Sequence, residues 1–183
     1  MKKITGLISC MFFAVCAFSQ EGNYWAAGAE YQWYPTGHQI GLRGEYGFAP
    51  HHAIDFRAGI NIINERDEGE QDLEEGSGFG FTPGYRYYLK SDNSGFFGSV
   101  RSDIWLNSID WTDLDNGVVV ATGTTDITVV QPTLIAGYAS QLGENWKFTP
   151  TAGFGYEINV RSDGRDVGEG PITLLGLNIT RRF

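Results

Sequence analysis

The chain has 183 residues, 42% hydrophobic and 19% charged, with a formal net charge of −9. That length makes one domain of ordinary size, and the acidic balance, which repels phosphate backbones, excludes a nucleic-acid partner. Both cysteines, Cys10 and Cys16, fall within the first twenty residues.

Met1 to Ser19 reads as a signal peptide. Lys2 and Lys3 supply a positive start, Ile4 to Phe18 is almost wholly apolar, and Ala17-Phe18-Ser19 provides small residues for cleavage before Gln20. This fifteen-residue segment falls short of the roughly 20 apolar residues needed by a spanning helix. Leu7-Ile8-Ser9-Cys10 is similar to a lipobox, but Cys10 precedes most of the apolar run. Residues 20–183 are then the mature domain, with 11 Lys and Arg against 22 Asp and Glu, a net of −11. It contains no cysteine, which removes disulfides, thiolate metal sites and cysteine nucleophiles together. No later segment approaches eighteen apolar residues, so any membrane span must be built of strands.

Eight strands are predicted from period-two alternation. Tyr24 to Tyr34 places Trp25, Ala27, Ala29, Tyr31 and Trp33 on one face against Ala26, Gly28, Glu30 and Gln32. After a turn at Pro35-Thr36-Gly37-His38, Gln39 to Phe48 opposes Ile40, Leu42, Tyr46 and Phe48 to Gln39, Gly41, Arg43, Glu45 and Gly47. A break at Ala49-Pro50-His51-His52 precedes the third strand, in which Ile54, Phe56, Ala58, Ile60 and Ile62 alternate with Asp55, Arg57, Gly59 and Asn61. Glu65 to Gly78 carries seven acidic residues and three glycines and reads as a solvated loop.

The fourth strand, Phe79 to Lys90, has Phe79, Phe81, Tyr85, Tyr87 and Leu89 against Gly80, Thr82, Gly84, Arg86 and Lys90. A turn from Ser91 to Ser94 leads to the fifth, where Phe96, Val100, Ile104 and Leu106 oppose Ser99, Arg101, Asp103 and Asn107. The phase slips near Ser108, as a bulge would make it. Asp110 to Gly123 reads as a polar loop, with Val118-Val119-Val120 able to extend either neighbour. The sixth strand runs to about Ser140. The seventh opposes Trp146, Phe148, Ala152, Phe154, Tyr156, Ile158 and Val160 to Lys147, Thr149, Thr151, Gly153, Gly155, Glu157 and Asn159. Arg161 to Gly170 reads as the last loop. The final strand, Pro171 to Phe183, has Leu175, Leu177, Ile179 and Phe183 on one face, a row that Arg181 interrupts.

Short connections alternate with long ones, apart from the short first connection at Pro35. The polar face is rich in glycine, and the apolar face carries aromatics near strand ends: Trp25, Trp33, Phe48, Phe79, Tyr87, Phe96, Trp146 and Phe183. Pro83, Pro132 and Pro150 fall within strands, each removing a ladder donor, and are expected at bulges or near a rim. A closing strand that ends on an aromatic resembles that of small outer-membrane β-barrel proteins of the OmpX and OmpA type. The resemblance covers nearly the whole mature chain and implies an all-β, eight-stranded antiparallel up-and-down barrel in the outer membrane of a Gram-negative cell envelope. It implies a monomer whose partners are outer-membrane lipid, lipopolysaccharide and the barrel-insertion machinery, with Phe183 as part of the insertion signal.

In that architecture the charged residues of the polar face line the bore: Glu30, Arg43, Glu45, Asp55, Arg57, Arg86, Arg101, Asp103, Lys147 and Glu157. Eight strands leave an interior about filled by side chains, so a closed ionic network is expected in preference to a water path. The histidines, His38, His51 and His52, lie in turns without an HxS pattern, and no catalytic residue is assigned. Acidic oxygens in Glu65 to Glu75 suit calcium or magnesium, but their spacing matches no defined metal loop, so no metal or cofactor is assigned. The expected role is structural or in surface interaction through the three long loops. The alternatives are a narrow pore for small solutes and a secreted soluble barrel with its apolar face turned inward around a ligand.

Overall fold

The computed structural model describes residues 23–66 and 71–183; the signal peptide read at Met1 to Ser19 lies outside the described residues. Nine strands follow one another: β1 (Tyr24–Tyr34), β2 (Gly37–Ala49), β3 (His52–Arg66), β4 (Leu73–Tyr88), β5 (Gly95–Asp115), β6 (Val118–Leu142), β7 (Trp146–Tyr156), β8 (Ile158–Asp163) and β9 (Pro171–Arg182). Each pairs antiparallel with its neighbours, and β9 returns to β1 in a ladder from Ala26 opposite Arg182 to Trp33 opposite Leu175. β7 and β8 lie along one edge of β6, Thr133 facing Gly155 and Val130 facing Ile158, so they are two halves of one strand broken at Glu157. The result is a closed ring of eight strands. Closure through β1–β9 and β5–β6 leaves no unpaired edge in the ring except along β8, which pairs with β6 alone, and a closed ring is the condition under which strands can cross hydrocarbon.

Alternation fixes which side chains enter the bore. Outward positions carry Leu42 (75% exposed), Phe79 (65%) and Leu134 (63%), while Arg57, Asp103 and Gln39 point inward at 0–1%. A soluble barrel would do the reverse, so the alternative with an inward apolar face is excluded: Trp146, Phe154, Tyr156 and Val160 all face out.

The strands are longer than the sequence suggests, and the connections correspondingly shorter. Where Glu65 to Gly78 reads as loop, β3 continues to Arg66 and β4 begins at Leu73. Asp110 to Gly123 is mostly hairpin, with β5 reaching Asp115 and β6 starting at Val118. The turn between them is Asn116-Gly117, both with positive φ (51° and 79°), as a tight two-residue hairpin requires. In Arg161 to Gly170, only the part after Asp163 is free of strand.

The physical reason lies at the end of the barrel away from Tyr24 and Phe183. There β5 keeps strict alternation through Ser108, but its inward residues become Trp105, Ile109 and Trp111, and its outward ones Ser108 and Asp110. The inferred bulge at Ser108 is therefore an inversion of polarity without a change of geometry. The register irregularity of this hairpin sits at Asp113/Leu114.

The three prolines lie in mid-strand, face outward, and mark no bulge. Pro83 pairs with Phe56, Pro132 with Ser102 and Pro150 with Leu177, each on one side only. On the other side the ladder lapses and resumes in register: Phe81 to Gly84 against β5, Thr133 to Val130 against β7 and β8, and Gly137 to Ser140 against β7. A missing N–H is tolerated where no neighbour asks for it.

Candidate functional site: the bore and its closures

Glu30 of β1 organises the middle of the bore. Its Oε2 accepts Arg43 Nη1 at 2.7 Å, and its Oε1 accepts both Arg57 Nη1 (3.0 Å) and Arg101 Nη1 (2.9 Å). Arg57 also pairs with Asp103 and donates to Gln32 Oε1 (2.6 Å) and Gln39 Oε1 (3.0 Å). Asp103 accepts from Thr82 and, at 3.2 Å, from Thr133, so every strand from β1 to β6 contributes to the cluster.

Nearer the termini, Arg43 Nη2 meets Asp55 Oδ2 at 3.0 Å, and Arg86 Nη1 meets Glu45 Oε2 at 3.1 Å. The Tyr24 and Tyr88 hydroxyls donate to Glu45 Oε1 at 2.6 and 3.0 Å. Four guanidiniums thus face four carboxylates, all buried. In a low-dielectric bore such charges persist only when paired and hydrogen-bonded, so each member holds the others in place.

Of the ten charged residues assigned to the bore, these eight are joined in one network. The other two lie elsewhere inside. Lys147 sits at the terminal end, donating to Asn93 O at 2.7 Å with its ammonium 4.7 Å from the Tyr24 ring. This contact draws the Leu89 to Ser94 connection under the barrel, where Asn93 is buried with φ 56°. In the same connection the Ser94 hydroxyl donates to Asp92 Oδ1 at 2.7 Å, and that bond holds the Asp92 carboxyl below its usual range. Glu157 is buried at the β7–β8 break, where its backbone N–H donates to Gly170 O at 2.7 Å.

Several members of the interior escape a reading of charged residues alone. Gln32, Gln39, Thr82 and Thr133 stand at inward positions of the same alternation, which was the available signal. Tyr24 and Tyr88 are aromatics on the polar face, marked only by their phase.

At the opposite end the inward side chains are apolar. Ile63, Trp105, Ile109, Trp111, Ile127 and Val129 form a cluster inside the strands, and Val167 of the β8–β9 loop packs into it. The loop is held there by Gly168 N–H donating to Glu74 Oε1 (2.9 Å), by Gln71 Nε2 donating to Asp166 O (2.8 Å) and by Asn159 Nδ2 donating to Val167 O (2.9 Å). Outside, Arg165 pairs with Asp113 at 2.6 Å and lies 4.5 Å from the Trp111 ring.

The lipid-type surface has two aromatic rows. Near the termini, Trp25 stacks on Tyr46 (4.5 Å), Phe96 meets Tyr138 edge-on (4.8 Å), and Phe48, Tyr87, Trp146 and Phe183 are exposed beside them. His52 Nδ1 lies 2.6 Å from the Tyr85 hydroxyl in this row, and His51 Nδ1 lies 2.9 Å from Tyr88 O. The second row holds Trp33, Phe79 and Tyr31, whose hydroxyl is 2.7 Å from His38 Nδ1. From Trp25 to Trp33 is about 26 Å along the strand, or about 20 Å along the axis at a tilt near 40°, close to the roughly 25 Å apolar band of such barrels. Phe183 is 74% exposed, and its N–H donates to Trp25 O at 2.8 Å, so the last residue closes the ring against the first strand.

These features define the fold class of small eight-stranded transmembrane β-barrels. No protein-family model matches the chain, and no curated protein matches it in sequence. Among solved structures, a major outer membrane protein from Thermus thermophilus is similar with a TM-score of 0.57 at 14% identity, over 88% of this chain and 99% of that one. Neisserial surface protein A aligns with a TM-score of 0.55 at 12% identity, over 89% and 98%. Ail, the attachment invasion locus protein of Yersinia pestis, aligns at 0.52 and 10%, over 90% and 100%. The chain shares with them the outer-membrane β-barrel fold.

Proposed function

We propose that the protein is an integral outer-membrane barrel with a closed bore, and that it serves as a structural and surface-interaction element through the strands and loops beyond its second aromatic row. The observation that carries this reading is the distribution of faces: an apolar outward band between two aromatic rows surrounds a paired ionic core. Such a surface is stable in lipid and a liability in water. The short turns, the start of β1 at Tyr24 and Phe183 then face the periplasm, and the acidic end faces outward.

Closure rests on two layers, the ionic network in the middle and the apolar cluster under Val167 above it. Phe183, at the seam between first and last strand, is suited to be read by the insertion machinery.

Fractionation of cells expressing the full chain tests this reading. Recovery in the outer membrane, with an unboiled band that migrates apart from the boiled one, is the expected result. Recovery as a soluble protein overturns it.

A further inference from the structure

On the outer surface just beyond the second aromatic row, four strands shape a concavity of about 450 Å³. Its side chains form two rows straight across the sheet. One row runs Phe79, Leu106, Thr128, Arg161, and the next, farther from the apolar band, runs Ser77, Ser108, Asp126, Asp163. Phe79 and Leu106 are exposed at 65% and 42% and continue the lipid-type surface, whereas the serines, Thr128 and the two aspartates continue the polar one. The concavity is therefore apolar at one corner and polar at the other. Serine and threonine between larger neighbours give it its depth.

Two details show that the polar corner is built. The β6–β8 ladder shifts register so that Val129 faces Asn159 and Thr128 faces Arg161, leaving Val160 as the extra residue. Without this bulge Val160 would stand beside Thr128; bulges commonly re-aim a side chain in this way. Asp126 and Asp163 stand directly opposite each other, an arrangement that costs stability between like charges. Among the described residues, Arg161 has no ion pair, and neither aspartate side chain has a hydrogen-bond partner. A free guanidinium, two free carboxylates and hydroxyls thus meet an apolar edge at the height of a lipid head group.

We propose that this concavity is a head-group site for a phosphorylated glycolipid of the outer leaflet. Arg161 takes a phosphate as charge-assisted donor, Asp126 and Asp163 accept from sugar hydroxyls, Ser77 and Ser108 complete the polar wall, and an acyl chain lies over Phe79 and Leu106. Sugar donors between the two aspartates relieve their repulsion. The proposal rests on the outer-membrane reading above, because only that orientation brings this surface to the outer leaflet.

The test is retention of deep-rough lipopolysaccharide by the full mature barrel in phosphatidylcholine nanodiscs, followed by native mass spectrometry. Phosphatidylglycerol supplies a phosphate without sugar, and glucosamine 1-phosphate a sugar phosphate without chains. Selective retention of the lipopolysaccharide is expected, with Arg161→Gln and Ser108→Trp each weakening it about tenfold, the equivalent of one charged hydrogen bond. Asp126→Asn is expected to raise the melting temperature of the barrel while weakening retention, a combination that a merely structural residue does not give. Equal retention by wild type and variants overturns the site, as does a preference for phosphatidylglycerol. Folding is followed by gel migration: a barrel that inserts but does not discriminate defeats the site alone, whereas a chain that never inserts defeats the outer-membrane reading as well.

Discussion

Arg101 on β5 donates from Nη1 to Glu30 Oε1 on β1 at 2.9 Å, joining two strands that share no ladder. The bond crosses the bore, so the ring is braced internally as well as by its backbone. Glu30 also receives Arg43 and Arg57, and its removal leaves three buried guanidiniums short of a partner. Glu30→Ala is expected to destabilise the barrel by roughly 3–5 kcal/mol, the range for breaking a buried pair. Urea unfolding in bilayers measures it, and Glu30→Gln, which keeps an acceptor oxygen, is expected to cost less.

Leu42 faces outward in mid-strand at 75% exposure. In lipid, Leu42→Arg is expected to cost about 2–4 kcal/mol, as charges do on the lipid face near the midplane. On a water-facing surface the same change is expected to fall within about 0.5 kcal/mol. The unfolding free energy of the variant in vesicles separates the two.

Val167 holds the β8–β9 loop in the far-end cluster. Val167→Asp buries a charge among Trp105, Ile109 and Trp111, so the loop is expected to leave the mouth. The readout is trypsin cleavage after Arg165, expected about tenfold faster than in the wild type. Arg165→Ala serves as comparison. The Arg165 side chain is half-exposed, so losing its pair with Asp113 is expected to change global stability by less than about 1 kcal/mol.

At the hairpin tip, Gly117 has φ 79°. Gly117→Ala places a Cβ in the left-handed region and is expected to fray the ends of β5 and β6, at a cost of about 1 kcal/mol. Amide exchange at Val118 to Ala121 is expected to accelerate while that of β1 is unchanged.

The strands of the lipid band are legible because alternation, aromatic position and the polar face agree there; Trp25 to Trp33 and Trp146 to Val160 are cases in point. Trp105, Ile109 and Trp111 show where legibility stops. Beyond the second aromatic row the outside is water, so the polar residues turn outward and the apolar ones inward. A rule that equates apolar with outward then reads a slip and a loop. The inward position of Glu30 and Arg101 also follows from phase, but their partnership does not. It depends on which strands face each other across the ring, a long-range property that local period does not encode. The prolines mislead for a related reason, since each strand has two neighbours and Pro150 needs a ladder on one side only.

The most direct test of a closed bore is the current through planar bilayers containing the purified barrel, with insertion confirmed by gel migration. With the Glu30 network and the Val167 closure in place, no discrete conductance steps are expected from the wild type. Stepwise conductance of the wild type would contradict the closed bore and establish a water path through the barrel.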